Sequence, residues 1–237
     1  MSREASGSRS TGELPVLFVD DFIAVVDKPA GIPTERTRDP LREHVLSRAR
    51  AVLGLPPDAF LSAPHRLDRD TSGALLLARS PEVLAALNAD FRQRRVHKEY
   101  VAVVHGSPAA DTWRCETFLA PVGRRGGIEV WGSVRAGGRK AITSFRVLER
   151  GEVSRIACVL ETGRTHQARV HAAESGYPIA GDALYGAPER EHQELGRHLL
   201  HAARLEFVHP TQGVSMDVAA PVPELFRRFV RQRAQRR

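Results

Sequence analysis

The stretch HRLDRDTSG, residues 65–73, places reactive side chains immediately before an apolar run, ALLLAR, at residues 74–79. It contains two carboxylates, two guanidinium groups and two hydroxyl groups, which is unusual for an ordinary turn. An isolated Asp68 or Asp70 would more often cap a polar loop, with the arginines left in water. The apolar run predicts a buried strand. The stretch therefore predicts a loop of functional groups at the entrance to a sheet.

Strand patterns flank this loop along the chain. Residues 14–28 predict two short strands around a turn at Asp20 and Asp21. Further strands are predicted at 98–106, 141–150, 154–162, 205–208 and 214–218. Helices are predicted at 41–53 with Asp39 as N-cap, at 81–95, at 166–175 and in the basic C-terminal segment. The glycine-rich stretch 108–140 predicts hairpins and mobile loops. Strands that directly follow strands favour a mixed α+β fold with an antiparallel or mixed sheet.

The composition indicates which class of binding partner and which cellular compartment to expect. The 237 residues carry a formal net charge of +7, which favours polyanionic partners because lysine and arginine release counterions from phosphates. Cys115 and Cys158 form no C-x-x-C pair, so neither a disulfide framework nor a zinc finger is indicated. No apolar run approaches the roughly 20 residues that cross a bilayer, and no secretory signal is present. We expect a cytoplasmic monomer with a flexible tail, 1–13, and one domain, 14–237.

Motifs of several other functional classes are missing. No G-x-G-x-x-G follows the first strand, and no phosphate-binding loop of the G-x-x-x-x-G-K-S/T type occurs. The segment HRLD differs from the protein-kinase catalytic loop because Leu67 intervenes and no D-F-G triplet follows. His166 and His171 have poor spacing for two metal ligands on one helix face. These absences argue against a dinucleotide-binding enzyme, a phosphoryl-transfer enzyme and a metalloprotease.

The loop at 65–73 resembles the signature of the RluA-type pseudouridine synthase family, H-R-L-D-x-x-T-S-G, with all fixed positions present. The resemblance covers nearly the whole chain from Leu14, and its motifs occur in the family's order. They are VLFVDDFIAVVDKPAG at 16–31, KEYVAVVHG at 98–106, GRKAITSFRVLER at 138–150, LETGRTHQARVH at 160–171 and PIAGDALYG at 178–186. The resemblance implies a mostly antiparallel, twisted central sheet flanked by helices and loops, with an active-site cleft across it.

The resemblance also implies a reaction, the isomerisation of uridine to pseudouridine in ribosomal or transfer RNA, without metal or organic cofactor. In that reaction Asp68 is the nucleophile, Tyr100 stacks on the target base and handles a proton, and Arg164 pairs with Asp68. The implied RNA contacts are His65, Arg66, Arg69, Thr71, His166, Gln167 and Arg169. Whether the carboxylate attacks C1′ of the ribose or C6 of the base stays open.

These residue types suit that chemistry. A carboxylate nucleophile must be ionised, and an adjacent cation favours the ionised form. The uridine must leave the base stack, and an aromatic face with basic groups on the phosphates offsets the unstacking cost of a few kcal/mol. Without the motif, the alternation of Tyr100 with Val101 and Val103 favours a simple core residue.

Two departures from the family pattern and two other functions bear on this interpretation. Only about a dozen residues precede the first strand, so we expect no N-terminal S4-type RNA-binding module. Ala168 stands where a larger aliphatic residue is common, and GIPTERTR at 31–38 is unusual. An idle RNA-binding protein would not need Asp68, Tyr100 and Arg164 together. A hydrolase using Asp68 and His65 would lack a companion carboxylate or nucleophile elbow.

Overall fold

One ten-stranded sheet forms the framework of the computed structural model, which describes residues 14–37, 39 and 41–235. The strands are β1 (Val16–Val19), β2 (Ile23–Lys28), β3 (Ser72–Ala78), β4 (His97–His105), β5 (Thr112–Arg125), β6 (Ile128–Ser133), β7 (Arg139–Glu149), β8 (Val153–Leu160), β9 (Leu200–Val208) and β10 (Ser215–Ala219). They lie in the order β1-β2-β3-β9-β4-β8-β7-β5-β6, and β10 pairs with β9. Only β3 and β9 pair in parallel among these strands, which confirms the predicted mostly antiparallel sheet.

Helices pack on both faces of this sheet. They are α1 (Val45–Val52), α2 (Pro81–Arg92), α3 (Gln167–Glu174), α4 (Glu189–Leu195) and α5 (Glu224–Ala234), with a 3-10 turn at Ala183–Tyr185. Because side chains alternate along a strand, Tyr100 and Ala102 face one core with α1 and α3. Val101 and Val103 face the opposite core with α5, and α2 covers the same side farther along the sheet. The mixed α+β prediction is confirmed.

Two predicted helix boundaries need correction. Helix α1 begins at Val45 after His44 as N-cap, not near residue 41 after Asp39. Leu41 is 93% exposed, so it does not belong to the buried stripe, and the Asp39 carboxylate accepts from its backbone N–H instead. Helix α2 begins after Ser80 as predicted and ends at Arg92, because Arg94 takes a left-handed conformation. The predicted N-terminal tail lies outside the described residues.

Close backbone approaches bring the loop at 65–73 into the middle of the sheet. Gly73 has a φ of +115°, and a Cβ there would lie 2.2 Å from the backbone oxygen of Ala202 on β9. Only glycine permits this approach. The glycine-rich region forms the long β5–β6 hairpin, which turns at Gly126 and Gly127, both with positive φ. Gly73, near the start of β3, therefore allows the loop at 65–73 to approach β9.

Candidate active site

Backbone anchors fix the loop on both sides of Asp68. The Lys28 ammonium donates to the carbonyl oxygens of Arg69 (2.9 Å) and Thr71 (2.7 Å). The Thr34 hydroxyl donates to the Leu67 carbonyl (2.9 Å) and accepts from the Leu67 N–H (3.1 Å). Lys28 is fully buried, and burial lowers its pKa to about 7. The only local sign of this anchor in the sequence is a lysine at the end of the apolar strand IAVVDK, and Lys28 was not among the predicted site residues.

The hydroxyl groups of the loop bind to β9 and the segment before it. Thr71 Oγ1 lies 2.9 Å from His198 Nε2, and Ser72 Oγ lies 2.8 Å from His201 Nδ1. Ser72 Oγ also accepts from Arg197 at 2.8 Å. Burial is the main cause that lowers the pKa of both histidines, so they are neutral partners. These bonds hold the loop against the sheet.

Two predicted RNA contacts are corrected by burial. Thr71 and Gln167 are each 2% exposed. The Gln167 amide oxygen accepts from the Thr162 hydroxyl at 2.6 Å and from the Arg164 N–H at 3.1 Å, and its nitrogen donates to the Ile142 carbonyl at 2.9 Å. Their polar groups are occupied inside the protein, so both residues shape the loops rather than reach RNA.

Asp68 pairs with Arg169, a residue of α3. Arg169 Nη1 lies 3.2 Å from Asp68 Oδ2, and the same guanidinium binds both oxygens of Asp182 at 2.6 and 2.8 Å. The Asp68 side chain is 22% exposed, while those of Arg169 and Asp182 are 8% and 2% exposed. Burial lowers the pKa of Arg169, but the hydrogen bonds and charge of Asp182 reverse this and raise it overall. A permanent cation therefore bridges two carboxylates.

The expected pairing of Asp68 with Arg164 is wrong. Arg164 lies in the turn before α3, and its Nε donates to the Lys140 carbonyl at 3.0 Å. Burial, Arg139 and Arg94 lower the pKa of Arg164. Arg169 lies inside α3, on the part of the helix that faces Asp68, and was predicted as an RNA contact and as the second candidate to support Asp68. Of the two arginines in GRTHQAR, the one that lies inside α3 therefore reaches the Asp68 carboxylate.

His166 gives Asp68 a second neighbour. Its Nε2 lies 3.8 Å from Asp68 Oδ2, and its Nδ1 lies 2.7 Å from the Tyr185 hydroxyl. That hydroxyl accepts from the Trp131 N–H at 3.0 Å and also has a proton that it can donate to His166 Nδ1. Burial lowers the pKa of His166, and Asp68 only partly opposes this effect. In the tautomer that accepts this proton, the neutral ring carries its own proton on Nε2, facing Asp68.

The backbone of Gly181, directly before Asp182, is held by α4. The Gly181 N–H donates to Glu191 Oε1 at 2.6 Å, and His192 Nδ1 lies 2.7 Å from the Gly181 carbonyl. Arg233 of α5 binds the other Glu191 oxygen at 2.8 Å. A Cβ on Gly181 would meet the Arg197 carbonyl oxygen at 2.2 Å. Asp182 and Glu191 were not among the predicted site residues, because nothing local to either residue signals these contacts.

Two cavities meet at Asp68. The Tyr100 cavity, of about 520 Å³, also contains His65, Arg66, Lys98 and Arg164. The Asp182 cavity, of about 440 Å³, also contains Arg69, His166 and Arg169. Among the described residues, no cluster of three potential metal-ligating side chains occurs.

Tyr100 projects from β4 into the Tyr100 cavity and is 7% exposed. It belongs at the same time to the core that α1 and α3 cover. Burial raises the pKa of its hydroxyl, and the Asp68 charge adds to this increase. The hydroxyl is therefore protonated at neutral pH and can donate a hydrogen bond into the cavity.

Comparisons with known proteins agree on one family. Residues 22–174 match the family model described as RNA pseudouridylate synthase. Ribosomal large subunit pseudouridine synthase D of Xanthomonas campestris is 38% identical over 92% of this chain and 68% of its own length. Ribosomal large subunit pseudouridine synthase C of Yersinia pestis is 38% identical over 90% of this chain and 67% of its own. The structure of Human RNA Pseudouridylate Synthase Domain Containing 1 has a TM-score of 0.73 and 25% identity, covering 88% of this chain and 83% of that one.

Proposed function

Because the chain belongs to the RNA pseudouridylate synthase family and isomerises uridine to pseudouridine in RNA, we propose that large-subunit ribosomal RNA is its substrate and Asp68 its nucleophile. The names of the relatives from Xanthomonas campestris and Yersinia pestis support this choice of RNA. The observation that carries the nucleophile is the position of the Asp68 carboxylate, which lines both cavities and lies 3.2 Å from Arg169.

The proposed reaction proceeds through a covalent adduct. The Asp68 oxygen bonds to C1′ of the ribose or C6 of the base, and the bond between N1 and C1′ breaks. The uracil rotates, C5 bonds to C1′, and Asp68 is released. The proton of C5 is lost and N1 gains one, so atoms and electrons balance without a co-reactant. Arg169 keeps the departing and returning carboxylate ionised.

Tyr100 has two proposed tasks. Its ring offers a face on which the flipped uracil stacks, which offsets the cost of removing the base from its neighbours. Its hydroxyl begins the reaction protonated, since burial raises its pKa. It therefore passes protons between the base and water by donating first rather than by starting as a phenolate.

The setting of the reaction is proposed as well. Residues 14–237 act as one catalytic domain, monomeric and cytoplasmic, that needs neither a metal nor an organic cofactor. The continuous sheet that links the first strand to the last supports the single domain. No helix in the described part of the chain is long and apolar enough to span a membrane.

Pseudouridine mapping tests the substrate. Ribosomal and transfer RNA are compared in cells that have the gene, cells that lack it, and cells complemented with wild type or Asp68→Asn. We expect one or more sites in large-subunit ribosomal RNA to disappear on deletion and return only with wild type. Loss confined to transfer RNA would overturn the ribosomal substrate. Restoration by Asp68→Asn would overturn the nucleophile.

A further inference from the structure

The Tyr100 cavity contains cations without matching anions. Lys98, Arg94 and Arg164 line it, and we call these three residues the cationic wall. Two carboxylates also line the cavity, but Asp68 is bound to Arg169 and Glu161 lies 3.4 Å from Arg114. Within the part of the chain that the structure describes, no carboxylate lies within ion-pair distance of the cationic wall. The charge of the cationic wall is therefore not neutralised by any carboxylate of the described residues.

Lys98 is the innermost member of the cationic wall. It is 8% exposed, and its Nζ donates to the Thr162 carbonyl at 3.3 Å and lies 5.9 Å from the centre of the Phe91 ring. An ammonium has three N–H donors, so this single long hydrogen bond leaves donor capacity for a ligand. Burial and the charge of Arg164 lower the Lys98 pKa to about 8. A buried cation beside another cation is unfavourable until an anion binds.

Arg94 stands at the mouth of the same cavity in a strained conformation. Its φ is +59°, directly after the C-cap of α2, where glycine is the usual residue. An L-residue is disfavoured there because its Cβ crowds the following carbonyl oxygen. Its side chain is exposed, so burial of the side chain does not offset this strain. Such strain is commonly kept where a side chain serves a functional site.

We propose that the cationic wall binds a backbone phosphodiester of the RNA next to the flipped uridine. The inference rests on the proposed function, in which Asp68 and Tyr100 receive that uridine from the same cavity. In this site the phosphate oxygens accept hydrogen bonds from the Lys98 ammonium and from the planar guanidinium of Arg164. Arg94 contacts the RNA strand where it enters the Tyr100 cavity. Binding the phosphate beside the reacting nucleotide sets the depth to which the uridine enters.

Lys98→Met tests the phosphate site, because it keeps the bulk of the side chain and removes its charge. Its matched control is Arg146→Met, which removes one exposed charge from the opposite face of the sheet. Binding to transcribed large-subunit ribosomal RNA is measured over a range of salt. We expect about tenfold weaker binding for Lys98→Met and a salt slope reduced by about one, with little change for the control.

Arg94→Gly provides a second test that does not depend on a buried substitution. It should leave the denaturation midpoint unchanged or higher, because glycine suits the left-handed position, while RNA binding weakens several-fold. Unchanged affinity and salt slope in both variants would overturn the phosphate site. A loss equal to that of Arg146→Met would also overturn it, as general electrostatics. If wild type binds RNA through Lys98 but forms no pseudouridine in any RNA, the phosphate site stands and the proposed function fails.

Discussion

The two cavities that meet at Asp68 differ in whether their cationic side chains have carboxylate partners. In the Asp182 cavity, Arg169 lies between the carboxylates of Asp68 and Asp182, so its buried charge is neutralised within the protein. In the Tyr100 cavity, Lys98 and Arg164 face each other's charge without a carboxylate partner in the described residues. The first arrangement is complete without a ligand. The second favours the binding of an anion. The Asp68 carboxylate thus has its counterion inside the protein, whereas the cationic wall, our proposed phosphate site, has none in the described residues.

Asp68→Asn should produce the largest change on the chemical side of this comparison. The amide keeps the shape of the side chain and loses the nucleophilic oxygen, so we expect the single-turnover rate to fall by more than about a thousandfold. RNA affinity should stay within a few-fold, since the cationic wall is intact. Residual turnover above about a thousandth of wild type would move the nucleophile elsewhere, with Asp70 next to test.

Arg169→Met and Arg164→Met should separate the paired arginine from the unpaired one. Removal of Arg169 leaves Asp182 buried without a cation, so the free energy of unfolding should fall by about 3 to 5 kcal/mol. Arg164→Met should change it by less than about 1 kcal/mol, because that side chain has no ion pair in the described structure. Denaturant titration of both variants checks this. Equal losses would remove the distinction between the two arginines.

The effect of Tyr100→Phe should be smaller than the effects of the preceding variants and larger than the effects on RNA binding. The ring still stacks, but the proton relay is lost, and positioned acid or base catalysis typically contributes roughly a hundredfold or more. Because the hydroxyl pKa is raised, the rate of wild type should show no limb from its ionisation between pH 6 and 9. Single-turnover rates of both proteins across that range provide the measurement. A Phe variant as fast as wild type would leave the hydroxyl without a chemical role.

The pH dependence of RNA binding should give the smallest effect. Below its pKa of about 8 Lys98 is charged, and as pH rises through that value the free protein loses the charge that attracts phosphate. Affinity should therefore decline several-fold between pH 7 and 9 in wild type and less in Lys98→Met. Folding has the opposite sign, because the charged form is disfavoured by burial and stability should rise between pH 8 and 10.5. Binding that strengthens with pH would contradict the Lys98 assignment.

Local patterns were enough for much of the fold and for the position of the loop at 65–73 immediately before β3. A continuous apolar run predicted β3, a strand pattern predicted β4, and the serine and proline at 80 and 81 predicted the start of α2. The first helix was predicted to begin too early because Leu41 fits the apolar stripe but is exposed in the structure. A periodic pattern alone does not reveal which of its members meets a core.

Partners distant in sequence could not be predicted in the same way. The motif GRTHQAR offers two arginines, and only the position at which α3 begins decides that Arg169 faces Asp68. Asp182 has no local feature that marks it as a partner of the site, and the position of Lys28 at the end of an apolar strand does not reveal which carbonyl oxygens it contacts. Their contacts depend on the loop after α3 and on the close approach of β3 to β9.

Tritium release from RNA labelled at C5 of uridine tests the central claim most directly, because C5 loses its hydrogen only when it becomes the new glycosidic carbon. Purified protein is incubated in EDTA with labelled large-subunit ribosomal RNA, and pseudouridines are mapped in the product. We predict release by wild type at defined sites without added metal or cofactor, and none by Asp68→Asn bound to the same RNA. Release by Asp68→Asn, or activity that returns only with a divalent ion not needed to fold the RNA, would contradict the account.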